Sequence, residues 1–333
     1  MNELPDCVQE QIDKLVFGVS LDRLVRARES VSCLYREKRV EGGIKNLPKL
    51  GLSASKVQSS FSDEHLAYLV FRLPATYSAL VSVFEEIKQR KPDFVLGSLL
   101  DLGSGPATAY VAALSCFDAP FRSTLVERDA SFISLAKTLI PETRKESVRW
   151  DQEDMRQYTI KEPHDLVMLS YALGELDEKS EEVLLEKAWS STGELLCIVE
   201  PGTPHGYQKL MRARNILLQK GAFCLAPCPH ELACPLKEGD WCHFSCRLPR
   251  SRLHRQVKGG ELGYEDEKYS YLVLSKTKPE TRSDRILRKP QKSSGVMHFD
   301  VCSKKGVCER KVVSKRDKEA FSSLKKKEWG DIL

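Results

Sequence analysis

From residue 93 to residue 221 the sequence alternates between short apolar runs and segments with a helical spacing of apolar residues. The apolar runs have the length of buried strands, as in VLGSLLDLG, FRSTLVERD, DLVMLSYAL and ELLCIVEPG. The segments between them, such as ATAYVAALSCF and KSEEVLLEKAW, repeat apolar residues every three or four positions. Strands that alternate with helices form a mainly parallel sheet with helices on both faces. The sequence therefore predicts an α/β fold.

The chain on either side of this alternation has a different pattern. Residues 1–92 space their apolar residues as helices do, and Pro74 is expected to break or kink the longest of these helices. After residue 222 come a cysteine-rich segment, an arginine-rich loop, the strand KYSYLVLSK, a polar linker at 276–295 and a hairpin that turns at 304–306. KEAFSSLKKKEW predicts a final short helix. We expect an N-terminal helical region at 1–92, a Rossmann-like domain at 93–222 and a cysteine-rich, basic region at 223–333.

The first strand of the alternation ends in the glycine loop Asp101-Leu-Gly103-Ser-Gly105, at the start of a helix. Glycine allows a sharp turn and the close approach of a ligand to the backbone. Glu127 ends the next strand, 22 residues after Gly105, where an acidic residue accepts hydrogen bonds from ribose hydroxyls. A dinucleotide and S-adenosylmethionine both bind to such a pattern. Asp101 favours S-adenosylmethionine, because methyltransferases usually carry an acidic residue two positions before the first glycine.

The remaining residues of the predicted cofactor site follow from the order of the strands. Ser104 belongs to the glycine loop, and Ser170 stands at the end of the predicted fourth strand. Asp154, with Asp151, follows the predicted third strand and lies near the adenine in one interpretation and in a solvated loop in the other. We predict a cofactor site made of Asp101, Gly103, Ser104, Gly105, Glu127, Asp154 and Ser170.

The cysteines are unevenly distributed. The chain contains 11 cysteines, five of which lie between residues 224 and 246. An odd number of cysteines, in a sequence whose start MNELPDCVQEQIDK shows no secretory signal, favours reduced thiols and metal ligands over disulfides. No apolar run approaches the roughly eighteen residues of a membrane span. We therefore expect a protein of a reducing cytoplasm, without a membrane partner.

Three long segments resemble those of a known family: EPGTPHGYQKLMRAR, APCPHELACPLKEGDWCHFSCRLPRSRLHRQVK and YEDEKYSYLVLSK. The family is that of Rsm-twenty-two (methyltransferase-like protein seventeen), with mitochondrial small-subunit assembly factors and bacterial relatives. The resemblance extends from the YRE segment at 35–37 to KKEWGD near the end. It implies a class I methyltransferase fold that binds S-adenosylmethionine, an iron–sulfur cluster held by four cysteines, and association with small-subunit ribosomal RNA. In a eukaryote it also implies a mitochondrial location, although no transit peptide is visible.

The resemblance assigns the cluster ligands to Cys228, Cys234, Cys242 and Cys302. Cys246 stands where relatives usually have another residue, so it is interpreted as a spare thiol. Cys224 and Cys308 are also left out of the ligand set. Four thiolates suit a [4Fe–4S] cluster or zinc, and the prolines that follow Cys228 and Cys234 favour the cluster.

Basic residues concentrate in two places. One is the stretch CRLPRSRLHRQVK, and the other is the segment 276–333, with 17 Lys and Arg against 8 Asp and Glu. Both are expected to contact phosphates, although a solvated lysine-rich tail is the alternative for the second. Together with the resemblance, this predicts ribosomal RNA of the small subunit as the partner of a chain that is a monomer when free. The predicted RNA-contacting residues are Arg247, Arg250, Arg252, Arg255 and Lys258.

The catalytic residues stay unassigned. Enzymes that methylate exocyclic base nitrogens usually carry Asn/Asp-Pro-Pro-aromatic after the fourth strand, whereas this chain has Ser-Tyr-Ala-Leu-Gly-Glu at 170–175. Cys197 is expected to be buried, and Glu175 and Glu200 either act as bases or cap helices. The main prediction is an S-adenosylmethionine-dependent ribosomal RNA methyltransferase. The alternative is a catalytically inactive RNA-binding assembly factor that keeps the fold.

Overall fold

The computed structural model describes residues 2–37 and 61–333, so part of the predicted helical region at 1–92 lies outside the described residues. Pro74 lies in the first turn of a helix, where proline is tolerated. The axis of this helix is bent by 43° from that of the helix before it. The predicted break is therefore confirmed. Within the described ranges no single helix is long and apolar enough to cross a membrane, and the bent pair passes that test by length and composition only. The helices before the sheet are α1 (Asp6–Val16), α2 (Leu21–Glu37), α3 (Asp63–Phe71) and α4 (Leu73–Arg90).

The central sheet contains eight of the described strands: β1 (Ser98–Leu102), β2 (Arg122–Val126), β3 (Val148–Asp151), β4 (His164–Ser170), β5 (Thr192–Pro201), β6 (Phe223–Ala226), β7 (Phe244–Pro249) and β8 (Tyr264–Ser275). Their order is β3-β2-β1-β4-β5-β8-β6, and β7 pairs with the first half of β8. β1 to β5 pair in parallel, whereas β8 is antiparallel to its neighbours. Strand order reverses at β1 and β4, as in Rossmann-like sheets, and an antiparallel strand lies before the last one, as in class I methyltransferases. The α/β prediction is confirmed, with a mixed sheet.

Helices cover both faces of this sheet. Leu166 and Met168 of β4 pack with α3 to α6 on one face, while Val167 and Leu169 pack with the later helices on the other. Strands that are buried on both faces read as continuous apolar runs, which is why the sequence pattern was strong here. The helices between and after the strands are α5 (Thr108–Cys116), α6 (Ala130–Leu139), α7 (Glu178–Ser190) and α8 (Pro204–Gln219).

The C-terminal part forms a second, smaller sheet. It contains β9 (Arg285–Ile286), β10 (Gln291–Lys292), β11 (Val296–Cys302) and β12 (Cys308–Ser314), and α10 (Lys318–Leu324) follows it. β11 pairs with β9, β10 and β12, all antiparallel. The predicted turn at 304–306 is confirmed, since the N–H of Gly306, at φ +78°, donates to the carbonyl of Ser303 at 2.9 Å.

The interpretation of the arginine-rich stretch as a loop is wrong. Its first part is β7, and its second part is α9 (Arg252–Lys258). Ser251 caps this helix by accepting a hydrogen bond from the N–H of His254, and Gly259 ends it at φ +64°. The polar linker at 276–295 likewise contains β9 and β10.

Candidate functional site

The glycine loop lies at the carboxyl end of β1 and is anchored to β2. The N–H groups of Gly103 and Ser104 donate to the carbonyl of Val126 at 2.9 and 3.0 Å. Gly103 and Gly105 have φ values of +79° and +52°, which other residues rarely adopt. A Cβ on Gly105 would meet no described atom within 4 Å. The loop therefore presents open backbone at the edge of the sheet where Rossmann-like folds bind ligands.

Glu127 connects this loop to the start of α6. Its carboxylate accepts the N–H of Gly105 at 2.8 Å with one oxygen and the N–H of Asp129 at 2.9 Å with the other. Burial raises the pKa of Glu127, and these two hydrogen bonds oppose the rise. An ionised carboxylate has about four acceptor positions, so Glu127 retains capacity for ligand hydroxyls.

Asp101 and Ser104 are buried polar residues beside the loop, with exposed fractions of 1% and 6%. Neither carboxylate oxygen of Asp101 nor the hydroxyl of Ser104 has a hydrogen-bond partner among the described residues. Burial, together with the charge of Glu127, raises the pKa of Asp101 to about 7. Because buried polar groups are normally paired, these atoms are the ones that a bound ligand would satisfy.

Asp154 and Ser170 border the loop in different ways. A Cβ on Gly103 would approach the sulfur of Met155 to 3.2 Å, so the segment after β3 lies against the loop. Arg156 donates to Asp154 at 2.9 Å and lowers the pKa of that carboxyl, so the charge of Asp154 is already paired. Ser170 ends β4 beside β5.

The segment after β4 is held by Arg72, which no sequence pattern indicates, and by Glu200, which the sequence predicts as a base or a helix cap. Tyr171 has a φ of +56°, and the guanidinium of Arg72 lies 4.5 Å from the centre of its ring. Arg72 also pairs with Glu267 at 3.0 Å. Glu200 is 2% exposed and accepts the N–H of Leu173 at 2.8 Å, while burial raises its pKa to about 8. Arg72 and Tyr171 meet only in the folded chain, so no local sequence signal identifies them.

The four predicted metal ligands line one cavity, called here the four-cysteine cavity: Cys228, Cys234, Cys242 and Cys302. The cavity has a volume of about 40 Å³, and α8 forms one of its walls. Tyr207 of α8 donates to the sulfur of Cys234 at 3.2 Å. The sulfur of Cys302 lies 3.4 Å from Nε2 of His230. Within the described ranges, no three His, Cys, Asp or Glu side chains form a group that could hold a metal ion.

The other nearby cysteines occupy different positions. Cys246 lies on β7 and is not among the residues that line the cavity, and its thiol is 3.9 Å from the carbonyl of Glu267. Cys224 is 1% exposed and belongs to the same apolar cluster as Cys228. The neighbouring Cys224 thiol and the charge of Arg214 lower the pKa of Cys228, against the opposing effect of burial. Cys308 is exposed and pairs with Cys302 across the hairpin.

Two buried guanidinium groups line the same cavity. Arg285 is 1% exposed and is paired with Glu86. Arg214 is 2% exposed and donates to the carbonyls of His230 and Leu232, and its Nε has no acceptor among the described residues. No carboxylate pairs with Arg214 in the described part of the chain, so its buried charge favours anionic contents in the cavity.

Most of the predicted RNA-contacting residues are engaged by carboxylates. Arg250 and Lys258 both donate to Glu265, at 2.6 and 2.7 Å. Burial alone would raise the pKa of Glu265, but hydrogen bonds from His254 and these bases hold it well below its usual range. Arg247 pairs with Asp266 at 2.7 Å. Arg252 is exposed on α9, and Arg255 follows on the same helix, partly buried.

Comparison with known proteins agrees with the resemblance seen in the sequence. Residues 62–333 match the family model described as Mitochondrial small ribosomal subunit Rsm22. The human ribosome assembly protein METTL17, mitochondrial, is 29% identical over 287 residues, which cover 80% of this chain and 62% of that protein. The ribosome assembly protein RSM22, mitochondrial, of Saccharomyces cerevisiae is 21% identical over 422 residues and is covered to 66% of its length. The chain thus spans less than two thirds of each.

Among solved structures, the magnesium protoporphyrin IX methyltransferase of Synechocystis with bound SAM gives a TM-score of 0.42 at 12% identity, covering 78% of this chain and 100% of that one. The strand order of the central sheet carries the fold assignment. Both curated relatives are named mitochondrial, which agrees with the mitochondrial alternative, and the cytoplasmic expectation stays a prediction.

Proposed function

Because the chain belongs to the Rsm22 family, we propose that it is an assembly factor of the small ribosomal subunit that keeps a methyltransferase-type cofactor site and holds a metal centre. One observation carries the proposal. Four cysteines from two distant segments, 228–242 and 302, line a single cavity that also contains the buried charge of Arg214. A cavity built in this way suits a metal–thiolate centre.

The glycine loop supports S-adenosylmethionine as the ligand of the sheet. This cofactor carries an ammonium group and ribose hydroxyls. Asp101, Ser104 and Glu127 could accept hydrogen bonds from these groups. When bound, it supplies a methyl group on a sulfonium for transfer. A dinucleotide fits less well, because its pyrophosphate would approach a buried acidic residue without a partner, Asp101.

The four-cysteine cavity supports a [4Fe–4S] cluster more than zinc. A single zinc ion draws four sulfurs to about 2.3 Å from one centre, whereas each ligand of a cluster binds a different iron and the sulfurs stay apart. Here the thiols are distributed around a cavity. With four thiolates, either centre is anionic, and Arg214 would provide the countercharge. Cys246 stays outside this set, since it lies on β7 in the core.

Ribosomal RNA of the small subunit is the proposed partner. Because Arg247, Arg250 and Lys258 are paired with carboxylates, the stretch 247–258 contributes mainly through Arg252 and Arg255. Exposed lysines and an arginine of the hairpin and of the segment around α10 extend the proposed contact: Lys304, Lys305, Lys315, Arg316, Lys325 and Lys326. Contacts of this kind give affinity and orientation without reading base sequence.

Whether the chain transfers methyl groups is a separate question. Tyr171 directly follows β4, where base methyltransferases carry their acceptor motif, and Arg72 lies over its ring and pairs with Glu267. This arrangement favours the alternative of an assembly factor without methyl transfer. If the chain is an enzyme, the candidate general base is Glu200, a buried carboxyl on β5 one residue before the end of the strand.

The test is anaerobic purification of the chain, followed by assays for iron, sulfide and zinc and for binding to small ribosomal subunits. The expected result is iron and sulfide in near-equal amounts and binding that weakens with salt. A protein that lacks metal and ignores the subunit would contradict the proposal. Transfer of labelled methyl groups from S-adenosylmethionine to subunit RNA would then separate the enzyme from the inactive factor.

A further inference from the structure

Cys302 and Cys308 face each other across the hairpin of β11 and β12, directly paired in its register. Next to this pair, the N–H of Ser303 donates to the carbonyl of Val307 at 2.9 Å. Cys302 and Cys308 are therefore a non-hydrogen-bonded pair, whose Cα atoms lie about 4.5 Å apart in antiparallel sheets. A disulfide can join cysteines whose Cα atoms are about 4.4–6.8 Å apart. The backbone is thus in the right place for a cross-strand disulfide.

The neighbouring pair on the same face shows that side chains meet there. Asp300 and Arg310 are also paired in register, and they form two hydrogen bonds at 2.7 and 3.0 Å. Side chains two residues apart in a strand point to the same face of the sheet. The thiols of Cys302 and Cys308 therefore share the face that carries this ion pair.

The two thiols differ in their surroundings. Cys308 is exposed, whereas Cys302 is 8% exposed and lines the four-cysteine cavity. The sulfur of Cys302 contacts His230 at 3.4 Å, so its side chain would have to turn away from His230 to reach across the hairpin. An oxidant from solvent would react first with Cys308, and Cys302 would resolve the product.

We propose that Cys302 and Cys308 form a reversible disulfide when the cavity holds no metal centre, which makes the hairpin an oxidation site of this chain. With hydrogen peroxide, the thiolate of Cys308 attacks the peroxide, forms a sulfenic acid and releases one water. The thiolate of Cys302 attacks that sulfur, the S–S bond forms, and a second water leaves. Two thiols have then lost two electrons and two protons, and one peroxide has become two waters.

The disulfide and the metal centre compete for the same sulfur. The proposed function enters only here, because the competition requires that Cys302 is a metal ligand. Oxidation of the metal-free chain would then block reloading, and a bound centre would protect Cys302. A reducing thiol would restore both.

The experiment uses the full chain, freed of metal under anaerobic conditions, treated with peroxide, alkylated and digested with trypsin without reduction. Cleavage after Lys304 and Lys305 places the two cysteines in separate peptides, 293–304 and 306–310. The other cysteines of the region fall in 221–237 and 238–247, so each pair of cross-linked peptides has its own mass. We expect the 293–304 and 306–310 pair as the main product, lost on reduction. Cys308→Ser should abolish this product and keep the metal of the anaerobic protein.

A main product that joins 293–304 to 221–237, or oxidation of Cys308 without any cross-link, would overturn the proposal. The same mapping on metal-loaded protein should show loss of the cross-link. An equal yield with and without bound metal would show that Cys302 is not a ligand. A chain that never holds metal but still forms the cross-link would contradict the proposed function and leave the oxidation site intact.

Discussion

Replacing Glu127 by alanine is expected to weaken S-adenosylmethionine binding and to loosen the glycine loop. In the structure, the Glu127 carboxylate accepts the N–H groups of Gly105 and Asp129 at 2.8 and 2.9 Å. A hydrogen bond to a charged group contributes about 1.5–3 kcal/mol. If the ribose makes one such bond to the remaining lone pairs, its loss lowers affinity by roughly 10- to 150-fold, since about 1.4 kcal/mol is a factor of ten.

The same substitution removes both contacts to the backbone. Because Glu127 is only partly buried, water replaces part of what is lost, and we expect the free energy of unfolding to fall by about 1–2 kcal/mol. Glu153→Ala is the matched control, since Glu153 is an exposed acidic residue just after β3 and its removal changes the net charge equally. Calorimetry measures the affinity, and chemical denaturation measures the stability. A folded Glu127→Ala variant with affinity within about twofold of the parent would refute the assignment of Glu127 to the ribose.

Three further substitutions test the other parts of the site. Cys302→Ser is expected to lose the metal, measured as iron, sulfide and zinc in anaerobically purified protein, whereas Cys246→Ser keeps it; full occupancy in Cys302→Ser would show that the ligand set is wrong. Arg214→Met removes the buried countercharge and is expected to speed metal loss to a chelator by roughly tenfold or more. Arg212→Met on the same helix is the control. Equal rates of metal loss in the two variants would exclude the charge effect. The pKa of Glu200 is raised from 4.5 to about 8, so the wild-type free energy of unfolding should fall by up to about 1.4 kcal/mol per pH unit as the pH rises between these two values. Glu200→Gln should remove this dependence. Parallel curves of unfolding free energy against pH for the two proteins would contradict this expectation.

Much of the sheet could be predicted because its signals are local. Each parallel strand is an apolar run covered on both faces, and each crossover helix has a clear periodicity. The arginine-rich stretch predicts a loop, although it forms a strand and a helix, because its local signals are weak. β7 pairs only with the outer half of β8, and α9 has seven residues whose buried side chains are His254 and Val257. Two buried positions are too few to produce a periodic pattern.

The burial of isolated charged residues cannot be predicted from the sequence, for a different reason. Arg285 stands in a polar stretch that predicts a linker, yet it is 1% exposed because it meets Glu86, 199 residues away. Arg214 stands in a helix with charged neighbours, and only the fold shows that it points into the four-cysteine cavity. Contacts of such long sequence separation leave no local signal. The four cysteines are predictable from the sequence only because a family resemblance links Cys302 to the distant segment at 228–242.

The edge of the sheet that carries the glycine loop and the four-cysteine cavity are connected by one helix, α8. α8 begins directly after β5, and Glu200 near the end of β5 holds the turn at 173–175 on the cofactor side. The same helix presents Tyr207 and Arg214 to the cavity. Between them, the carbonyl of Gly202 accepts a hydrogen bond from Trp241, the residue before Cys242, at 3.2 Å. The sheet therefore fixes one wall of the cavity through α8 and supports the loop that carries Cys242. A methyltransferase-type sheet thus has a structural use in this chain that does not depend on methyl transfer, because the sheet and α8 fix one wall of the four-cysteine cavity.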